Sequence, residues 1–126
     1  MSLPTIELVE AVADQSLARP LFAPEGTDAR SALTRGFTFR QAWPRKHNGT
    51  VNLTLNQFFN IRPDWQVFVS AGEAIALGDA TAGSFIGAAK FTVHGVSAGV
   101  NVVTIQLSVE WGTPCSIITD YLVVPV

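Results

Sequence analysis

The chain has 126 residues, enough for one domain with a sizeable core. Hydrophobic residues make up 48%, charged residues 14%, and the formal charge is −2, which gives no electrostatic reason to expect a nucleic acid or an anionic membrane as partner. Soluble domains carry about 25% charged residues, so the deficit predicts either a surface partly covered by a subunit or partner, or a small β-protein dressed in Ser, Thr, Asn and Gln. No apolar run approaches the roughly 18 residues of a spanning helix, so no membrane span is expected. Residues 1–10 lack the basic head and continuous apolar run of a signal peptide, which favours a virion or cytoplasmic location over a secreted one. Cys115 is the single cysteine, so no internal disulfide forms.

In chain order, residues 5–12 (TIELVEAV) read two ways. Ile6 and Leu8 alternate with Thr5 and Glu7 as in a strand, whereas Ile6, Val9 and Ala13 fit a helical face capped by Thr5. The strand is the better fit to a β-rich chain. Residues 13–35 carry two prolines, a glycine and scattered apolar residues. Structureless connections longer than about 12–15 residues are uncommon inside compact domains. The stretch is therefore an irregular arm or a long loop, with Asp28 to Thr34 as its best helical segment. Leu21 and Phe22, set between Pro20 and Pro24, form a small apolar anchor suited to a neighbouring subunit. Folding back over its own domain is the equal alternative.

Regular strands follow. Phe37, Phe39 and Trp43 alternate with Thr38, Arg40 and Ala42 until Pro44. Asn48-Gly49 is a strong hairpin signal, because glycine and asparagine accept positive φ. It places Arg45, Lys46 and His47 at a basic tip able to meet an anion or acidic partner. Val51, Leu53, Leu55 and Phe59 continue as the next strand, Trp65, Val67 and Val69 as another, and residues 74–77 as a short one before a small-residue loop at 78–83. Residues 89–111 predict a long hairpin, with Val103, Ile105, Leu107, Val109 and Trp111 on its apolar face. Its reversal is expected across Gly95 to Gly99 and a bulge at Val102-Val103. Ile117 to Val124 is apolar on nearly every position and suits a strand covered on both faces.

About eight short strands with turn signals every 8–12 residues indicate an all-β fold: a single antiparallel β-sandwich over residues 1–126, immunoglobulin-like or jelly-roll. Chemistry-bearing constellations are scarce. Gly95-Val96-Ser97-Ala98-Gly99 has the spacing of a nucleophile elbow, but it joins two strands and no histidine follows it. His47 and His94 stand far apart and lack zinc spacing. No cofactor motif is present, so neither catalysis nor a cofactor is expected.

Trp43, Trp65 and Trp111 are in phase with the core faces of their strands, which favours packing over sugar stacking. Phe58 is out of phase with Val51, Leu53, Leu55 and Phe59, so Phe58 or Phe59 should face outward unless a bulge intervenes, and Phe68 is out of phase with Trp65, Val67 and Val69 in the same way. On the outer faces of adjacent strands they would form an apolar contact patch. The predicted contact residues are thus Leu21, Phe22, Phe58, Phe68, Arg45 and Lys46. The expected role is a non-enzymatic structural or assembly protein that docks on itself or on a larger particle, such as a virion accessory component. A carbohydrate-binding, lectin-like module is the alternative.

Overall fold

In the computed structural model, which describes residues 6–22, 25–58, 61–74, 84–85 and 89–125, the chain is a β-sandwich of two sheets. The strands are β1 (Glu7–Val12), β2 (Arg19–Pro20), β3 (Phe37–His47), β4 (Gly49–Asn56), β5 (Gln66–Ala74), β6 (Ser84–Phe85), β7 (Lys90–Gly99), β8 (Val102–Glu110) and β9 (Cys115–Val124). One sheet has the order β1-β4-β8-β7, the other β2-β3-β9-β5-β6. Among the described residues all pairings are antiparallel except β1 with β4, which is parallel.

Alternation builds the core as expected. Val51, Leu53 and Leu55 of β4 and Val103, Ile105, Leu107 and Val109 of β8 point inward from the first sheet. Phe37, Phe39 and Trp43 of β3 and Ile117, Tyr121 and Val123 of β9 meet them from the second. Among the described residues two polar side chains are buried, His47 and Thr119. Thr119 is fully buried, accepts from Trp43 Nε1 at 2.9 Å and donates to the Tyr121 hydroxyl at 3.0 Å. A buried hydroxyl with both partners costs little, whereas an orphaned one costs about 1–3 kcal/mol.

Several local expectations are corrected. The reversal of the long hairpin lies at Val100–Asn101, with Asn101 at φ 57°, and β7 runs straight through Gly95 to Gly99. The bulge sits in β7, where His94 is the extra residue between Val93 and Gly95, and not at Val102-Val103. Asn48-Gly49 is no hairpin: β3 pairs with β9 and β4 with β8, so the dipeptide turns the chain from one sheet to the other. Gly49 takes φ 76° there. The turn itself forms as its residues dictate, but a turn residue does not specify which sheet the next strand joins.

β1 is a strand, but its phase is opposite to the expected one. Val9 and Ala13 are buried, while Ile6 and Leu8 face solvent. Trp111 is 50% exposed because β8 ends at Glu110, one residue before it. Of β9, Ile118 is covered on the outer side beside Ala42 and Ala74, whereas Leu122 is open. The expected strand at 74–77 lies outside the described residues apart from Ala74, which ends β5. The loop at 78–83 and Phe59 lie outside them too.

The described residues of 13–35 fold back over their own domain. Asp14 caps a 3-10 turn at Gln15–Leu17 by accepting from the Ser16 amide at 3.0 Å and its hydroxyl at 2.7 Å. Arg19–Pro20 pairs with β3, and Asp28 caps the helix α1 (Ala29–Leu33) by accepting from the Ser31 amide at 2.8 Å. Ala32 and Leu33 are buried, so the short helix gains its stability from packing and not from length.

Candidate functional site

The outer face of the five-stranded sheet holds an open groove of about 940 Å³. Register assembles it. Side chains directly opposite in paired strands share a face, so one row across the sheet reads Arg19, Thr38, Leu122 and Phe68. The next row reads Arg40, Asp120 and Ser70. Ser16 and Leu17 line the groove from the 3-10 turn.

Its floor combines two chemistries. Phe68 is 56% exposed and Leu122 37%, side by side on paired strands. Next to them Arg40 grips Asp120 through two parallel hydrogen bonds, Nε to Oδ1 at 2.6 Å and Nη2 to Oδ2 at 3.1 Å. The hydrogen bond to Asp120 raises the Arg40 guanidinium above its ordinary value, so this cation is permanent. The pair is fixed in geometry but open to water, and it can present polar edges to a ligand without moving. Arg19, exposed at one end of the first row, has no ion-pair partner among the described residues.

Of the predicted contact residues, Phe68 alone lines this groove. Phe58 is a correction. It is 0% exposed and belongs to the core, because Gln57 at φ 55° ends the β4 ladder and swings the next residue inward. Its ring packs on Phe37, Phe39 and Tyr121 at centroid distances of 5.7, 5.3 and 5.3 Å. Leu21 and Phe22 are exposed as expected, beside their own domain: Leu21 donates its amide to Gly36 at 3.1 Å, and Arg35 stands 5.8 Å over the Phe22 ring. Arg45 and Lys46 are exposed, but on the irregular end of β3 where its register against β9 shifts, not on a hairpin tip. The third residue of that basic run, His47, is buried and meets Glu7 through Nδ1, tying the end of β3 to β1.

Sequence patterns do not single out Arg19, Arg40, Ser70, Asp120 and Leu122 as a group. A signal exists for two of them. Asp120 is the sole charge in Ile117–Val124 and Arg40 the sole charge between Phe37 and Trp43, both out of phase with the core residues around them.

The other reactive side chains lie elsewhere. Cys115 is buried, and burial followed by the nearby Glu73 carboxylate pushes its thiol up, with Lys46 opposing. Ser97 is exposed in mid-strand, where no elbow turn presents it. His94 Nε2 hydrogen-bonds Ser108 Oγ at 2.6 Å on the outer face of the four-stranded sheet. Among the described residues no group of three His, Cys, Asp or Glu side chains could hold a metal ion, and no helix is long and apolar enough to cross a membrane. Comparison with protein-family models, curated proteins and solved structures finds no match to this chain.

Proposed function

We propose that this chain is a non-enzymatic structural or assembly module that docks on itself or on a larger particle, such as a virion, through the outer face of its five-stranded sheet. The observation behind the reading is the pairing of Phe68 with Leu122 across β5 and β9, both open to solvent at the floor of a groove. Adjacent exposed apolar side chains on a folded domain mark contact surfaces, because water-exposed patches otherwise promote aggregation. The fixed Arg40–Asp120 pair beside them supplies orientation, since charged rims set register more than affinity. Size-exclusion chromatography with light scattering tests it. The native chain shows a mass above that of one copy that rises with concentration, or co-elutes with its particle, and Phe68→Ser reduces either signal while the β circular dichroism persists. A Phe68→Ser chain that associates like the native one would remove the groove from the docking surface.

One observation favours carbohydrate binding as a second reading. An exposed aromatic ring stands among the Thr38 and Ser70 hydroxyls and the Asp120 carboxylate, the mixture that stacks on a sugar face and meets its hydroxyls. Glycan-array binding lost in Phe68→Ala would support it.

A further inference from the structure

The groove is not the sole place where apolar side chains face water. The outer face of β1 carries Leu8, 74% exposed, and Val12, 60% exposed, with Glu10 between them. This is an apolar margin on a mostly polar sheet face. Inward of it, Thr50 pairs with Ser108 at 2.9 Å and Thr54 with Thr104 at 3.0 Å, hydroxyl to hydroxyl. Glu10 is exposed, and its contact among the described residues is the Asn56 amide at 3.5 Å.

We propose that a second copy of this chain fills the groove with the outer face of its β1, seating Leu8 against Phe68 and Leu122 and bringing Glu10 to Arg19. The inference rests on the docking reading and names its partner. Charge complementarity selects the occupant: the β1 face reads apolar, acid, apolar, and the groove row offers an apolar pair at one end and the Arg19 cation at the other. Spacing agrees. Leu8 and Glu10 lie two residues apart, about 7 Å along a strand, while Leu122 and Arg19 lie two strands apart, about 10 Å across a sheet. The long Glu and Arg side chains cover the difference.

Topology then dictates the kind of assembly. β1 lies in the four-stranded sheet and the groove on the five-stranded sheet, so the two contact faces are the opposite outer surfaces of the sandwich. A contact between unlike surfaces is heterologous. It leaves each terminal copy with one unused face, so it grows into a ring if the rotation closes and a filament if it does not.

Sedimentation velocity on the full chain tests this through complementation. The native protein forms species beyond the dimer as concentration rises. Leu8→Ser keeps an intact groove and Phe68→Ser keeps an intact β1 face, so each alone is monomeric. Their equimolar mixture yields a complex of two copies and nothing larger. Glu10→Arg and Arg19→Glu each weaken association at least tenfold, and combining both in one chain restores it. Leu8 and Phe68 are solvent-exposed; a thermal melt identifies any variant that fails to fold, and Leu8→Thr, a better strand former, then replaces Leu8→Ser.

The failures are separable. If Leu8→Ser associates like the native chain while Phe68→Ser is monomeric, β1 is not the occupant and the docking reading stands. A mixture that stays monomeric likewise removes β1 as the occupant. A native chain that is monomeric at every concentration overturns the inference, and glycan binding by that monomer would give the groove to a sugar. If Phe68→Ser and Leu8→Ser both associate like the native chain, inference and docking reading fall together.

Discussion

Two phenylalanines look alike in the sequence and end up in opposite environments. Phe58 follows β4 and Phe68 sits in mid-β5, each out of phase with the apolar residues before it. At Gln57 the backbone enters positive φ and leaves the ladder. Phe58 and Ile61 are both tied to the β7–β8 turn, Phe58 donating its amide to Asn101 at 2.8 Å and Asn101 donating to Ile61 at 2.9 Å. That lacing holds the Phe58 ring inside. β5 instead keeps its register against β9 on both sides of Phe68, so the alternation rule holds and the ring faces water. An out-of-phase apolar residue therefore marks a surface only where the ladder continues past it.

The largest expected effect tests the inner half of this contrast. Phe58→Ala removes a ring packed on three other rings and should cost about 3–5 kcal/mol by lost burial plus cavity. Urea unfolding measures it. A cost below about 0.5 kcal/mol, the scale of exposed sites, would show that the ring is not held inside.

The ring neighbour Tyr121 sharpens the same comparison through pH. Burial raises its phenol far above the ordinary value of 10.0, with the Thr119 hydrogen bond opposing and the Asp120 charge adding to the rise. The unfolded chain releases this proton near pH 10 while the folded chain retains it. Stability is therefore full below about pH 10 and falls as pH rises beyond it. Tyr121→Phe should flatten that alkaline decline in a series of denaturation midpoints. It should also cost about 1–3 kcal/mol at neutral pH, because the Thr119 hydroxyl loses its acceptor. An unchanged alkaline decline in Tyr121→Phe would assign it to other groups.

What is legible in the sequence follows from the same physics. Period-two alternation survives translation into structure wherever a strand is long and one face is buried, so the inward phases of β3, β4 and β8 are readable, whereas β9 is apolar at nearly every position, shows no alternation, and leaves its outer face open at Leu122. Short or edge elements are not readable either. β1 carries apolar residues on both faces, and its phase is fixed by tertiary pairing with β4. Trp111 falls one residue past the end of its ladder. The groove is least legible, because Arg40 and Asp120 stand 80 positions apart and meet through the β3–β9 register, which no local pattern encodes.

That pair provides a smaller test on the outer face. Both partners are substantially exposed, so their coupling should be about 0.2–1 kcal/mol and should shrink with added salt. A double-mutant cycle with Arg40→Gln and Asp120→Asn isolates it. A coupling of several kcal/mol would mean that the groove floor is far drier than its exposure implies.

The smallest expected effect on stability belongs to Phe68, and it completes the comparison. More than half of its surface is exposed, and its neighbours Val67 and Val69 supply the inward contacts of β5. Phe68→Ser should therefore stay within about 0.5 kcal/mol of the native chain in urea unfolding, as substitutions away from the core do. The same substitution should lower association, because it removes the larger half of the Phe68–Leu122 pair on the groove floor. The two readouts separate a packing role from a docking role. A loss of stability near that of Phe58→Ala would place Phe68 in the core and erase the contrast between the two rings. Unchanged stability with weakened association is the signature of a side chain kept on the surface for a partner.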